Sequence, residues 1–572
     1  MASSTIGSDA TRHRRRVLCA TAVILNCLTA GSIFTFPLFA PPLARTLGLT
    51  GAQTNALASA SILGEYVSAG VFGALTDRKG PGATSFAAAC LFGTGYGLLG
   101  WRYLVSARMA KEGVELPQGQ WIFLCAYYFL AGAGTAASYF SAIIAATKST
   151  PSRHSGLGTD YYEFTTAIGL PCSIFGLSPL FLSTLAPYFT SRASELTRVK
   201  GVNEELDPGK WLLFFAGFLF LVNLYSSFTL KEIPCEEAVD ITVQDSGTGS
   251  VDGESGGMPS ERSRLLPSTI ADVAKNNDDK ALVRQSFSTL LSTPTFWLFG
   301  AVIFLATGPC EMVMASLGGI VESLLGVHTL GDGALSSSPS KASTLLIALV
   351  SSSTLKGASD TRALALRRLH VQTLSAANTI SRLLIGFLSD WLSYAAAPLV
   401  ADENSPPGSP RPASSIHARS WKRRMQLLFH DRPPPRVSRL FFLVLSCVVL
   451  ASAFFCASSS LSEPSGLWIL TVSVGSCYGL VFTLAPAIVR AVYPISDFGR
   501  NWGVLSLFSA CGASLFTPLF GVLLDLQREK EGIEVCVGRE CFEKIFVLSG
   551  ISEAVALAIA LVLWKRWWRG IV

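Results

Sequence analysis

Charged residues are scarce in this chain. They make up 15% of its 572 residues, where a soluble domain carries about a quarter. Half of the residues are apolar, and the mean hydropathy is +0.44. A water-surrounded globular fold is excluded, and the chain reads as an integral membrane protein. Histidine is rarer still, with six in all. None lies well inside an apolar run, and His370 only begins one. There is no His-Glu-x-x-His, no Gly-x-Ser-x-Gly nucleophile turn and no Gly-x-x-x-x-Gly-Lys-Ser/Thr phosphate loop. The sequence therefore points away from an intramembrane enzyme and from an ATP-driven pump, and implies no cofactor and no metal. Polar/apolar alternation is also missing. A β-barrel is excluded, and helices remain as the way to pair every backbone N–H and C=O in lipid.

What is present is a series of apolar runs, each near the roughly 20 residues that cross a bilayer. They predict an all-α fold of twelve transmembrane helices: 17–40, 54–75, 83–104, 120–146, 160–187, 211–230, 294–320, 370–395, 438–458, 467–492, 499–524 and 545–564. The run Thr344–Val350 is too short to cross. The expected organisation is a tail at 1–16, a six-helix half at 17–230, a linker at 231–293, a second six-helix half at 294–564 and a tail at 565–572. With both tails placed in the cytosol, 27 of the 45 lysines and arginines fall on that side and 17 on the other, with Arg382 inside a helix. That asymmetry sets the orientation. It also accounts for the net charge of +6 without a nucleic-acid partner. The first apolar run is too long for a cleaved signal peptide, so the first helix is expected to serve as its own insertion signal.

Ten of the thirteen cysteines lie in the predicted helices, where they fill space as small apolar groups. Cys536 and Cys541 are the exception. Both fall in one non-cytosolic loop, which makes them a candidate disulfide in an oxidising compartment. The Ser-, Gly- and acid-rich stretch 235–290 reads as a disordered linker. The Pro-rich basic segment 397–436 reads as a solvated cytosolic loop.

The two halves repeat. Gly73-Ala74-Leu75-Thr76-Asp77-Arg78-Lys79-Gly80 follows the second helix, and Gly386-Phe387-Leu388-Ser389-Asp390 stands at the matching place in the second half. Ser178-Pro179-Leu180-Phe181 is matched in the same order by Thr517-Pro518-Leu519-Phe520. Gly132 and Gly134, and Gly475 and Gly479, give two helices small faces for close packing. Glu65, Glu311 and Arg382 are charges inside predicted helices, and Glu163 lies near the start of another. Such charges are costly unless paired or wetted, so they mark candidate function. Arg382 suits an anionic group, and Glu65 or Glu311 suits a coupling ion. An internal ion pair is the structural alternative.

Gly73, Leu75, Asp77, Arg78 and Gly80 match the loop signature Gly-x-Leu-x-Asp-Arg-x-Gly, and here the chain resembles the major facilitator superfamily. The resemblance implies two pseudo-symmetric six-helix halves and a cytosolic gate made of Gly73, Asp77, Arg78 and Gly80, with Gly386 and Asp390 in the second half. Gly73 would let a neighbouring helix approach closely. Asp77 would face the N-terminus of the eleventh helix near Phe498–Arg500. Within that superfamily the chain looks like the monocarboxylate-transporter branch, and among its members the fungal vacuolar homologues. The helix-one ending Phe36-Pro37, Leu47-Gly48-Leu49 with Gln53 and Asn55, and helix eight over Ser375–Asp390 carry that likeness. It implies substrate binding by Arg382, with Asn378 one turn before it. Animal members have a lysine after the Phe-Pro, where this chain has Leu38, and an aspartate where it has Asn378. The likeness thus implies a small organic anion carried otherwise than by typical proton-linked lactate or pyruvate transport. Glu261-Arg262-Ser263-Arg264-Leu265-Leu266 is similar to an acidic dileucine sorting signal. With the branch it implies a sorting adaptor and the vacuolar membrane, with the plasma membrane as the alternative. The expected function is a secondary active or facilitative transporter working by alternating access, with the bilayer and a small molecule as partners. A membrane nutrient sensor that keeps the transporter fold is the alternative.

Overall fold

The structure is a computed structural model that describes residues 2–114, 117, 119–149, 160–192, 204–230, 287–331, 362–392, 437–493, 498–531, 536 and 538–567. The first predicted helix is α1 (Ala2–Ala30), a 3-10 turn (Gly31–Thr35) and α2 (Phe36–Leu47) in series. Pro37, in the first turn of α2, has no backbone donor to continue the ladder. There follow α3 (Gly51–Lys79), α4 (Pro81–Lys111), α5 (Gln120–Ser149), α6 (Asp160–Ser183) and α7 (Pro208–Thr229). The second half holds a short α8 (Phe287–Ser292), then α9 (Pro294–Gly331), α10 (Arg362–Leu392), α11 (Arg439–Ser460), α12 (Leu467–Val492), α13 (Phe498–Glu531) and α14 (Glu543–Trp567). Between α6 and α7, β1 (Thr190–Arg192) pairs antiparallel with β2 (Glu204–Leu206), Thr190 opposite Leu206.

All twelve predicted runs are helical, and ten of the described helices are long and apolar enough to cross a membrane. The protein is a multi-pass membrane protein. The other two helices are α6, whose described apolar part is Gly169–Ser183, and α10, which carries Arg362, Arg367, Arg368 and Arg382. They pack on each other, and together they wall the polar centre. The helix predicted to start at His370 starts at Arg362. His370 is therefore fully buried two turns inside it, with Nδ1 3.3 Å from Thr471 Oγ1. The expected start of this helix is corrected: Arg362, Arg367 and Arg368 hid it. Thr344–Val350 lies outside the described residues.

Capping fixes where the helices begin. Thr50 and Gln53 form a reciprocal box at the start of α3, and Asp207 and Ser438 cap α7 and α11. The α2–α3 turn needs Gly48, at φ 62°.

Packing repeats the sequence symmetry. Within the first half α3 lies on α5 and α4 on α5 and α7; within the second α10 lies on α12, α9 on α13 and α11 on α14. Across the interface, the second helix of each half meets the fifth of the other: α3 on α13, and α10 on α6. Glycine permits the closest approaches. A Cβ at Gly132 would stand 1.8 Å from the Ser61 carbonyl, and one at Gly479 2.5 Å from the Asn378 carbonyl.

At the end with the α2–α3 turn, the halves are knitted together. Asp525 of α13 accepts the N–H groups of Gly51 at 2.8 Å and Ala52 at 2.7 Å, at the first turn of α3. Arg45 pairs with Glu205 and with Glu322, and Arg367 lies 3.2 Å from Glu205 and 3.8 Å from Glu322. Arg367 also donates to the Leu38 carbonyl at 3.2 Å. At the end with the α3–α4 turn, Gly73 and Gly386 each face a helix of their own half. A Cβ at Gly73 would be 3.8 Å from the Phe140 ring, and one at Gly386 3.8 Å from Thr483. These are ordinary distances, so the close approach expected at Gly73 is not made in this conformation.

Candidate functional site

Arg382 sits at the centre of the molecule, on α10 and facing α6. It is 7% exposed, and its Nε donates to Asn378 Oδ1 at 2.8 Å, one turn earlier. Its guanidinium carbon lies 5.9 Å from the centre of the Phe482 ring, a cation–π placement. Among the described residues its other two nitrogens make no hydrogen bond, and no carboxylate pairs with it. A guanidinium has five donors, so most of its capacity is unspent. The cavity beside it takes Phe34 from the 3-10 turn and Phe175 and Pro179 from α6. Met314 and Leu317 come from α9, Ser375, Asn378 and Arg382 from α10, and Tyr478 from α12. Both halves thus contribute. The volume is about 30 Å³, room for one or two waters and too little for an organic anion. Ser375 stitches the halves beside it: its hydroxyl donates to the Gly176 carbonyl at 2.6 Å and accepts from Leu180 N–H at 3.1 Å.

Glu311 is fully buried on α9. Its Oε1 accepts from Tyr478 at 2.6 Å and from Tyr66 at 2.9 Å, and the two tyrosine oxygens are 3.1 Å apart. Glu311 Oε2 is buried without a partner among the described residues. Glu65 is half-buried, and its Oε2 is likewise unpartnered among them. Tyr478 packs at a tilt against Phe482, whose ring lies parallel to that of Tyr66. One connected patch therefore holds Arg382, Asn378, Phe482, Tyr478, Tyr66 and Glu311.

The residues expected to form a gate lie apart from that patch. Asp77 and Arg78 are exposed, and Asp77 makes no hydrogen bond or ion pair among the described residues. Gly80 ends α3 at φ 83°, which explains that glycine. The side chains of Asp390 and Glu163 lie outside the described residues, as do Glu261, Leu265 and Leu266. Cys536 and Cys541 are joined by a disulfide at the knitted end. No group of three or more His, Cys, Asp or Glu placed to hold a metal occurs among the described residues.

Comparison with solved structures places this geometry. A crystal structure of a bacterial homologue of the human lysosomal transporter Spinster, inward-facing and unoccupied, matches over 96% of this chain and 97% of its own, with a TM-score of 0.53 and 12% identity. The xylose transporter XylE from E. coli, in an inward open conformation, matches over 97% and 96%, with a TM-score of 0.52 and 10% identity. The chain has the major facilitator fold. Curated relatives extend the likeness along the sequence. Neurospora crassa "Probable transporter mch1" is 25% identical over 98% of this chain and 90% of its own length. The Debaryomyces hansenii protein "Probable transporter MCH1" is 26% identical over 95% and 91%. No protein-family model matches the chain.

Within this fold, sequence reasoning missed Glu553. It is fully buried on α14, and both its oxygens are unpartnered among the described residues. The signal was the same one that marked Glu311, a lone acid in an apolar run. Tyr66 and Tyr478 gave no such signal, since tyrosine is ordinary in these helices. Arg45, Glu205, Glu322 and Arg367 fell in predicted loops or at helix ends, where charge carries no message.

Proposed function

We propose that this chain is a secondary transporter that carries a small organic anion by alternating access, with Arg382 as its anchor. The observation that carries the reading is the state of Arg382: buried between the halves, in an apolar and aromatic cavity, with one neutral partner and most of its donors unused. An aspartate at 378 would neutralise the arginine, whereas Asn378 orients it and leaves its charge for the ligand. Glu311 and Glu65 are the coupling candidates.

The knitted end is taken as non-cytosolic. Two features support this: the excess of Lys and Arg at the opposite end and the Cys536–Cys541 disulfide, which suits an oxidising compartment. On that orientation the described conformation is closed on the non-cytosolic side, and Gly73, Asp77, Arg78, Gly80, Gly386 and Asp390 form a cytosolic gate that closes in the other state. The resemblance of Glu261, Leu265 and Leu266 to a dileucine signal supports residence in the vacuolar membrane. A tagged chain with Leu265→Ala and Leu266→Ala is expected to leave that membrane, and unchanged placement would refute the signal.

Transport is tested in proteoliposomes with a panel of labelled mono-, di- and tricarboxylates. Uptake of one anion class by the native chain, lost in Arg382→Leu, is the expected result. Equal uptake by both proteins would remove the arginine from the site.

A further inference from the structure

Three oxygens meet inside the bundle: Glu311 Oε1, Tyr66 Oη and Tyr478 Oη, at mutual distances of 2.6, 2.9 and 3.1 Å. Each distance is within hydrogen-bond range, and each bond needs its own hydrogen. The tyrosines supply one apiece. With Glu311 ionised, two hydrogens serve three contacts, and one oxygen pair faces lone pair to lone pair. With Glu311 protonated, three hydrogens serve three contacts in a closed ring: glutamic acid to one tyrosine, that tyrosine to the other, and the other back to the carboxyl.

We infer that Glu311, Tyr66 and Tyr478 form a proton-binding site that is complete only while the two halves are in contact. Tyr66 belongs to the first half, on α3. Glu311 and Tyr478 belong to the second, on α9 and α12. Separation of the halves takes Tyr66 away, so the proton no longer closes a third hydrogen bond, and water admitted between the halves solvates the carboxylate; both favour release of the proton. Binding of a proton favours contact. Tyr478 also lines the cavity, which gives the proton a way in from the substrate side. Glu311 acts on Glu65, which stands beside Tyr66 and also feels Arg382 of α10, and on Cys310 of its own helix, which also feels Cys477 beside Tyr478 and Glu553 of α14. From α13, Ala510 and Ala513 pack around Tyr66, and neither titrates. Loss or gain of the proton involves no other bond. The coupling role rests on the transporter reading above, but the proton site does not need a known substrate.

The test is pH-difference infrared spectroscopy of the full chain in lipid bilayers, beside hydrogen exchange of α3 around Tyr66. The expected results are a protonated-carboxyl band that disappears as pH rises, is absent in Glu311→Gln and is shifted in Tyr66→Phe and Tyr478→Phe. Exchange around Tyr66 is expected to be slow at low pH and to quicken as pH rises. That pH dependence should be lost in Glu311→Gln and in Tyr66→Phe. Tyr66→Phe keeps the shape of the site, so it carries the test if Glu311→Gln does not fold. A band that persists in Glu311→Gln belongs to Glu65 or Glu553 and overturns the assignment. So does unchanged pH dependence of exchange in Tyr66→Phe. Neither readout uses an anion, so a failure of Arg382→Leu to abolish anion binding would count against the anion reading alone.

Discussion

Asn378 differs from a carboxylate partner for Arg382 by a single side-chain atom. The pair is held at 2.8 Å, Nε to Oδ1. A carboxylate at that distance would form a charge-assisted bond and cancel the positive charge that an anion must meet. Asn378→Asp is therefore expected to weaken anion binding by tenfold or more, about 1.4 kcal/mol, read as a rise in the half-saturating concentration in the proteoliposome assay. Unchanged affinity would show that the ligand does not meet the guanidinium. At this scale the sequence was informative wherever a charge interrupted an apolar run. Arg382, Glu311 and Glu65 stood out for that reason, and Glu553 carried the same mark. Tyr66 and Tyr478 did not, because their importance lies in partners 245 and 167 residues away along the chain at Glu311.

Helix ends set the contacts between elements. The first turn of α3 leaves N–H groups without intrahelical partners, and Asp525 accepts two of them across the interface. A carboxylate so placed is stabilised by about 0.3–1 kcal/mol, and by up to about 2 kcal/mol where partly buried. Asp525→Asn removes the charge while keeping the size. It is expected to speed hydrogen exchange at Gly51 and Ala52 several-fold without unfolding the bundle. Exchange at the native rate would mean that the neighbouring ion cluster holds that end alone. The arrangement mirrors the expectation for Asp77, a carboxylate at one end of α3 aimed at α13. Here the acid is on α13 and the receiving helix end is on α3. The motif after α3 was readable because its spacing is shared by a superfamily. The latch at the other end was not, since it joins residues 474 positions apart with no local pattern. The start of α10 was misjudged for a related reason: Arg362, Arg367 and Arg368 read as loop until Glu205 and Glu322 are seen to neutralise Arg367.

The whole molecule is two similar bundles that share their most polar helices at the middle. Repetition of Asp77 in Asp390 and of Pro179 in Pro518 made the halves legible, and α3 on α13 with α10 on α6 is their physical expression. What repetition cannot give is the conformation. The described state is tight at the end with the α2–α3 turn, through ion pairs between halves that are not themselves related by the repeat. The cavity between the halves is contracted around Arg382, so on the proposed function a ligand must separate the walls to enter.

The most direct measurement is thermal unfolding of the purified chain with mono-, di- and tricarboxylates, amino acids and neutral metabolites, beside Arg382→Leu. A ligand at about 100 times its dissociation constant stabilises its target by roughly 2.7 kcal/mol. Arg382 as the anchor predicts that one anion class raises the unfolding temperature of the native chain and leaves the variant unmoved. Equal stabilisation of both proteins, or stabilisation by neutral ligands alone, would contradict it.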